Sequence, residues 1–152
     1  MYLAAMINTM LVLTSGALTG GFGAPPSEAE MSEAHTWAEA AFAAASPVFS
    51  FSYKDRPFEK WLGEWEVKTE ENASDPQCSK RSIVFTDPKT KLEVRCAAVE
   101  YTDFPAVEWV VTLRNGGEKD TPILDGVLPL DWRAPWSGDG VTIHCQLGDS
   151  NG

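Results

Sequence analysis

Six tryptophans are the residues whose chemistry points most directly to a ligand. A flat indole face stacks on the apolar face of a sugar ring while neighbouring polar groups bind the hydroxyls. Trp136 is the strongest candidate, because it lies in a loop rich in proline and glycine, at 133–140, where an aromatic residue has little packing to do. Trp109 falls on the apolar phase of a strand-like run and is expected in the core. Trp61 and Trp65 are expected to pack between a strand and a loop.

Paired carboxyl groups are the second kind of chemistry to consider. Glycoside hydrolysis uses two of them on either side of the scissile bond, about 5 to 5.5 Å apart in retaining enzymes. The chain has 22 aspartates and glutamates, but their spacing does not single out a converging pair. Four aspartates are interpreted as turn and strand-end residues: Asp87, Asp103, Asp125 and Asp131.

Motifs for other reactions are missing from the sequence. It has no G-x-S-x-G nucleophile elbow, no phosphate-binding glycine loop and no H-E-x-x-H motif. Three cysteines and two histidines match no zinc spacing, so neither a metal nor another cofactor is expected. Cys78 and Cys96 are predicted on paired strands but not opposite each other, and both are expected to be free and buried. His144 is interpreted as a solvated side chain.

The charge of the chain excludes one class of partner. Its formal net charge is -10 at pH 7, and it has no basic stripe interleaved with aromatic residues. Phosphate backbones attract proteins through clustered lysines and arginines. We therefore expect no binding to nucleic acid.

An antiparallel sheet is predicted to carry these residues. Apolar positions alternate with largely polar ones in 92–99 and 107–114, which is the period of two of half-buried strands. Asp87-Pro88-Lys89-Thr90 predicts a turn capped by Asp87, and Asn115-Gly116-Gly117 supplies residues that tolerate positive φ. A β-meander is the expected result.

The same region resembles a known family. The runs that carry the resemblance are FTDPKTKLEVRC, AVEYTDFPAVEWVVTLRNGG and DTPILDGVLPLD. They are similar to the N-terminal β-sandwich of bacterial α-galactosidase-like enzymes of glycoside hydrolase family 36. The upstream run FSFSY, followed by Trp61 and Trp65, is similar to the opening of that domain. Two departures stand out: Lys54-Asp55-Arg56 replaces a glycine-containing turn, and Lys91 stands where the family favours glycine.

The resemblance implies an all-β, antiparallel sandwich of the supersandwich type, with a short N-terminal helix. In the family both catalytic aspartates lie on a barrel that needs about 250 residues, so this chain is expected to support such a barrel and to be inactive alone. The implied partners are the barrel and, through the full-length enzyme, a galactoside-type carbohydrate. Loops of the sandwich lie toward the catalytic face in the family, which makes Asp149 a second candidate substrate-binding residue beside Trp136.

Two other functions remain open. One is a freestanding carbohydrate-binding sandwich in which Trp132 and Trp136 form the sugar platform. The other is a structural domain of the cell envelope without a ligand.

The sequence divides into three parts. Residues 1–24 resemble a signal peptide, with an uncharged apolar core and small residues near Ala24, and predict a secreted or periplasmic protein. The segment is too polar and too rich in glycine for a membrane span. An Ala-rich linker or helix is predicted for 25–47, with Ser32 as its cap. Residues 48–152 are interpreted as a partial sandwich domain, because the end of the chain has the composition of a loop inside a domain.

Overall fold

The described part of the computed structural model, residues 5–12 and 25–132, forms two sheets and one α-helix. In chain order the elements are β1 (Ala5–Val12), α1 (Glu28–Ala41), β2 (Ser50–Tyr53), β3 (Arg56–Pro57), a 3-10 helix (Phe58–Lys60), β4 (Glu66–Asp75), β5 (Cys78–Thr86), β6 (Leu92–Tyr101), β7 (Ala106–Asn115) and β8 (Leu124–Leu128).

Both sheets are antiparallel. The larger has the strand order β1-β7-β6-β5-β4, and the smaller has the order β3-β2-β8. Side chains from both sheets and from α1 form one hydrophobic core. The predicted all-β sandwich-like fold with a short N-terminal helix is therefore confirmed. The predicted meander is formed by β5, β6 and β7, whereas β8 leaves it to join the smaller sheet.

The alternation in β6 and β7 determines which face of the larger sheet is buried. The apolar phase of both strands faces the core, and its buried members are Leu92, Val94, Cys96, Ala98, Val107, Trp109, Val111 and Leu113. The register places Cys96 opposite Val111 and Ala98 opposite Trp109. Because directly opposed side chains lie on the same face of a sheet, the two strands bury one continuous surface. The prediction for both strands, including a core position for Trp109, is confirmed.

Helix α1 begins five residues earlier than predicted, because its cap is Ser27 and not Ser32. Its cap is Ser27, whose side chain accepts a hydrogen bond from the Glu30 N–H while the Glu30 carboxylate accepts one from the Ser27 N–H. This reciprocal pair is a capping box. The prediction of Ser32 as the cap was wrong, because a serine with a glutamate three residues later satisfies two backbone donors at once. Trp37 and Ala38 lie on the buried face.

Positive φ angles occur at three described residues other than glycine: Lys54, Asp55 and Lys91. Lys54 and Asp55 are the two-residue loop of the β2–β3 hairpin, since Tyr53 pairs with Arg56. Two successive positive φ angles characterise the type I′ turn, whose twist matches that of the flanking strands. Lys91 ends the predicted turn at Asp87, and its N–H donates to the Asp87 carbonyl at 2.9 Å.

The two glycines after β7, Gly116 and Gly117, allow two backbone segments to approach each other closely. The turn predicted at Asn115-Gly116-Gly117 follows the end of β7, but the described glycine with positive φ is Gly126. The Gly116 N–H donates to the Lys91 carbonyl at 2.9 Å. A Cβ at Gly117 would lie 2.4 Å from the Thr90 carbonyl oxygen. The absence of a side chain therefore lets this loop rest against the β5–β6 turn.

The N-terminal strand lies inside the segment predicted to be a signal peptide. β1 pairs with β7 over eight residue pairs, from Ala5 opposite Leu113 to Val12 opposite Ala106. Cleavage near Ala24 would remove β1 and make β7 the edge of the larger sheet. None of the helices in the described part of the chain has the length and apolar character that crossing a membrane requires.

Candidate functional site

A cluster of aromatic side chains joins α1 to the end of β8. The tryptophan cluster consists of Trp37, Phe42, Trp109 and Trp132. The ring centroid of Trp37 lies 5.8 Å from those of Trp109 and Trp132 and 6.0 Å from that of Phe42. Trp132 meets Trp37 edge-on at 89° and remains 43% exposed, whereas the other three are buried. One indole of the cluster is thus held in a fixed orientation at the surface.

The segment that carries Trp132 is attached at two points. The Trp109 Nε1–H donates to the Pro129 carbonyl at 2.9 Å, and the Asp131 N–H donates to the Val48 carbonyl at 2.7 Å. These bonds hold 129–132 across the tryptophan cluster. The Trp37 Nε1–H is buried and donates to no acceptor among the described residues.

Other large apolar side chains are exposed in β8 and next to it in the sequence. The β8 strip consists of Ile123, Leu128, Leu130 and Trp132, which are 85%, 50%, 37% and 43% exposed. β8 pairs with β2 on one side, and no other described strand pairs with it. Soluble proteins usually protect a free edge with charges, prolines or bulges. β8 has such features, since it carries the exposed Asp125 and its pairing with β2 contains a bulge, and large apolar side chains are exposed beside them.

A buried polar network lies at another place in the core. The Asp87 carboxylate, only 3% exposed, accepts hydrogen bonds from the Tyr53 hydroxyl at 2.7 Å, the Thr90 hydroxyl at 2.9 Å and the Lys89 N–H at 2.8 Å. The Lys54 ammonium lies 3.6 Å from the same carboxylate. The network ties β2 of the smaller sheet to the β5–β6 turn of the larger one.

This network changes the acidity of its two titratable members. Burial raises the pKa of Asp87, but the hydrogen bonds from Tyr53, Lys89 and Thr90, with the charge of Lys54, outweigh burial and lower that pKa to about 2. Burial, helped by the negative charge of Asp87, raises the pKa of Tyr53. Asp87 is therefore a permanent acceptor and Tyr53 a neutral donor at neutral pH, which is a structural arrangement rather than an acid–base pair.

The phenylalanine cluster packs around this network. Its members are Phe49, Phe51, Tyr53, Phe58, Trp61, Trp65 and Phe85, which are connected by ring contacts of 4.4 to 6.4 Å. The Trp61 Nε1–H donates to the Tyr53 carbonyl at 3.0 Å. Lys54 and Arg56 each lie 5.5 Å from the Trp61 ring. The packing predicted for Trp61 and Trp65 is confirmed.

A depression of about 490 Å³ lies along β4, β5 and β6. Its lining consists of Glu70, Glu71, Lys80, Arg81, Ser82, Arg95, Ala97, Ala98 and Val99. Charges of both signs alternate there, and no aromatic side chain is among the lining residues. Because a sugar ring is usually held by an aromatic face, this depression lacks the main element of a carbohydrate site.

The described carboxylates follow the interpretation made from the sequence. Asp87 caps its turn, Asp103 lies between β6 and β7, and Asp131 follows β8. Asp125 is the second residue of β8 and accepts a hydrogen bond from the Gly126 N–H. Within 5–12 and 25–132, no group of three or more His, Cys, Asp and Glu side chains is arranged to hold a metal ion.

The described cysteines are buried thiols. Cys78 and Cys96 are free, and the register pairs Cys78 with Tyr101 and Cys96 with Ile83, so the predicted lack of opposition is confirmed. Burial raises the pKa of Cys96 to about 12. Burial and the nearby Asp75 raise the pKa of Cys78 as well. Since the thiolate is the reactive form, neither is a nucleophile at neutral pH.

The two predicted substrate-binding residues, Trp136 and Asp149, lie outside the described residues, as do His144 and Cys145. Sequence reasoning missed the buried network: the Asp-Pro turn indicated a cap at Asp87, but nothing in the turn indicated a tyrosine partner 34 residues earlier. It also missed that the buried Trp37 N–H has no acceptor within 5–12 and 25–132, since the sequence indicates burial but not the partners of a buried group.

No family model, curated protein or solved structure matches the chain. The described geometry alone therefore offers a half-exposed indole, Trp132, beside other exposed apolar side chains at β8.

Proposed function

We propose that this chain is the non-catalytic N-terminal β-sandwich portion of a secreted α-galactosidase-like glycoside hydrolase. Its function is to support a catalytic barrel carried outside these residues and to shape the rim of the sugar pocket. Trp136 and Asp149 are the residues that would contact the galactoside at that rim. The chain performs no hydrolysis by itself and uses no cofactor.

The observation that carries this proposal is the backbone conformation at two places, residue 91 and the turn at residues 54 to 56. The family resemblance places glycine at residue 91 and in the turn at residues 54 to 56, where this chain has Lys91 and Lys54-Asp55-Arg56. Lys54, Asp55 and Lys91 are the three described residues other than glycine with positive φ. Glycine adopts this conformation without steric cost, and other residues rarely do. Positive φ angles at positions where the resembling family has glycine support the proposal.

The chemistry of the described residues fits a non-catalytic role, in which the domain supports a barrel. Asp87, the most perturbed carboxylate, is occupied by Tyr53, Thr90, Lys89 and Lys54 in a link between the sheets. A general acid needs a pKa near the working pH, whereas the pKa of Asp87 is lowered to about 2.

The test uses a family 36 barrel from which its own sandwich has been deleted. Purified chain added to that barrel should raise the barrel's melting temperature and restore turnover of a chromogenic α-galactoside, whereas the chain alone should show no turnover. The Trp109→Ala variant, whose core is disrupted, serves as the control and should give no stabilisation. Turnover by the chain alone that is lost on mutating one of its own aspartates would contradict the proposal.

A second candidate function is a freestanding carbohydrate-binding module, and the half-exposed Trp132 favours it. Titration calorimetry with galactose-containing oligosaccharides separates the two. Binding by the isolated chain that is lost in Trp132→Ala and Trp136→Ala but kept in Leu130→Ala would establish this second function. Leu130 is the matched control because it lies in the same strip and has no flat ring.

A further inference from the structure

Asn115 and Gly116, at the end of β7, form a pair with a chemistry of its own. An asparagine followed by glycine can lose its side-chain amide without an enzyme, because glycine has no Cβ to shield its backbone nitrogen. The Gly116 nitrogen attacks Asn115 Cγ, an N–C bond forms, and the Cγ–Nδ2 bond breaks. The amide proton of Gly116 leaves with the side-chain nitrogen as ammonia. Water then opens the cyclic imide at either carbonyl and gives aspartate or isoaspartate.

The fold holds both reacting groups in hydrogen bonds. Asn115 Oδ1 accepts from the Gly117 N–H at 2.9 Å, and Asn115 Nδ2 donates to the Lys119 carbonyl at 2.8 Å. The Gly116 N–H donates to the Lys91 carbonyl at 2.9 Å. Nucleophilic attack requires a near-attack geometry with aligned orbitals. A carboxamide held at both ends and a nitrogen directed at Lys91 reach that geometry only after these bonds break.

We propose that Asn115 is a modification site, whose deamidation is controlled by the contact between the Asn115 loop, residues 115–120, and the β5–β6 turn. The contact consists of the bond from Gly116 to Lys91 and the close approach of Gly117 to the Thr90 carbonyl. While the contact is closed, the reaction is slow. Local opening that separates the loop from the turn releases the Gly116 nitrogen, and the reaction proceeds.

The product changes the loop that made it. Conversion to aspartate or isoaspartate removes the donor to the Lys119 carbonyl and puts a carboxylate in place of a neutral amide. The loop already carries Glu118 and Asp120, and like charges repel. Each event therefore weakens the contact that had slowed the reaction. This inference does not depend on the proposed function.

The test follows deamidation of the full chain at mildly alkaline pH by peptide mapping and mass spectrometry. Mapping separates Asn115 from the second Asn-Gly pair of the chain, Asn151-Gly152. The folded wild type should react at Asn115 at least about ten-fold more slowly than the same chain unfolded in guanidinium chloride.

Gly117→Ala is the variant that opens the contact. Its Cβ would lie 2.4 Å from the Thr90 carbonyl oxygen, so the loop must move away, while the reacting pair keeps its sequence. Asn115 should then react at least about three-fold faster than in the folded wild type. The matched control is Gly63→Ala, whose Cβ would meet no described heavy atom within 4 Å apart from its chain neighbours. It should change the rate at Asn115 by less than about two-fold.

Two results would overturn the proposal. One is an equal rate at Asn115 in the folded and the unfolded wild type, which decides the matter even if Gly117→Ala fails to fold. The other is a folded Gly117→Ala chain in which Asn115 reacts no faster than in Gly63→Ala.

Discussion

The two aromatic clusters of the core differ in how completely they are closed. In the phenylalanine cluster the Tyr53 hydroxyl and the Trp61 indole N–H have partners, and the Asp87 carboxylate is saturated with donors. In the tryptophan cluster the Trp37 N–H has no acceptor among the described residues, and Trp132 is 43% exposed. The phenylalanine cluster is therefore an internal cluster with its polar groups paired. The tryptophan cluster reaches the surface at Trp132, beside the β8 strip.

The hydrogen bonding of buried polar groups explains this difference. A buried donor or acceptor without a partner costs about 1 to 3 kcal/mol, so structural interiors pair nearly all of them. The cluster that satisfies this rule carries stability. Among the described residues, the cluster that departs from it lies beside β8 and reaches the surface at Trp132. Contacts of the molecule are therefore expected at the tryptophan cluster.

The largest expected effect is at Trp109, which belongs to the tryptophan cluster but is fully buried. Trp109→Ala should lower the free energy of unfolding by about 3 to 5 kcal/mol, because it leaves a large cavity and removes the bond to the Pro129 carbonyl. Urea denaturation measures this loss. Trp132→Ala is the matched control, with an expected loss below about 1 kcal/mol. An unchanged midpoint for Trp109→Ala would mean that the register of β7 is wrong.

At the phenylalanine cluster, Asp87→Ala should cost about 3 kcal/mol, since it leaves three donors without their acceptor. Tyr53→Phe removes one bond and should cost about 1 kcal/mol. The double variant should cost less than the sum of the two, because both changes remove the same hydrogen bond. Strict additivity in urea denaturation would show that Tyr53 and Asp87 are not coupled.

Acid should also act on the phenylalanine cluster through Asp87. The folded-state pKa of Asp87 is about 2 and lies below its ordinary value of 3.8, so the unfolded chain binds this proton first. The resulting stabilisation is fully present above about pH 4 and is lost as pH falls toward 2. It amounts to about 2 kcal/mol. The pH profile of stability should therefore be flatter for Asp87→Asn than for wild type in this window, and identical profiles would contradict the assignment.

The smallest expected effect is a gain. Lys91 holds a φ of 62°, a conformation that costs non-glycine residues energy. Lys91→Gly should raise the free energy of unfolding by about 0.5 to 1 kcal/mol, after the greater freedom of glycine in the unfolded chain is subtracted. Lys89→Gly is the control in the same turn and should give no gain, because Lys89 does not have positive φ. A loss of stability in Lys91→Gly would remove the observation that carries the proposed function.

The fold could be predicted from the sequence where the burial of one face of a strand imposes a period of two on its apolar residues. β6 and β7 bury one face each, so their sequences alternate and revealed Trp109 as core. β4 is an edge strand whose residues 66–71 are all exposed, and a strand without a buried face leaves no alternation to detect. β1 was interpreted as part of a signal peptide, because an uncharged, moderately apolar run has the same composition in both settings.

The candidate site was less predictable for a different reason. The Asp87 network joins residues 34 positions apart, and such a contact depends on how the two sheets pack. The position of Trp132 against Trp37 likewise depends on where α1 docks on β7. Local sequence determines turns and phases, whereas the joining of distant elements depends on the whole core. Trp136 and Asp149 stay predictions.

Amide exchange at two named hydrogen bonds tests the contrast between the clusters most directly. The Asp87 N–H donates to the Leu92 carbonyl beside the phenylalanine cluster, and the Asp131 N–H donates to the Val48 carbonyl beside the tryptophan cluster. We expect the Asp87 amide to exchange only through global unfolding and the Asp131 amide to exchange at least about ten-fold faster through local opening. Equal rates at the two amides would contradict the account, because the segment carrying Trp132 would then be as firmly closed as the rest of the core.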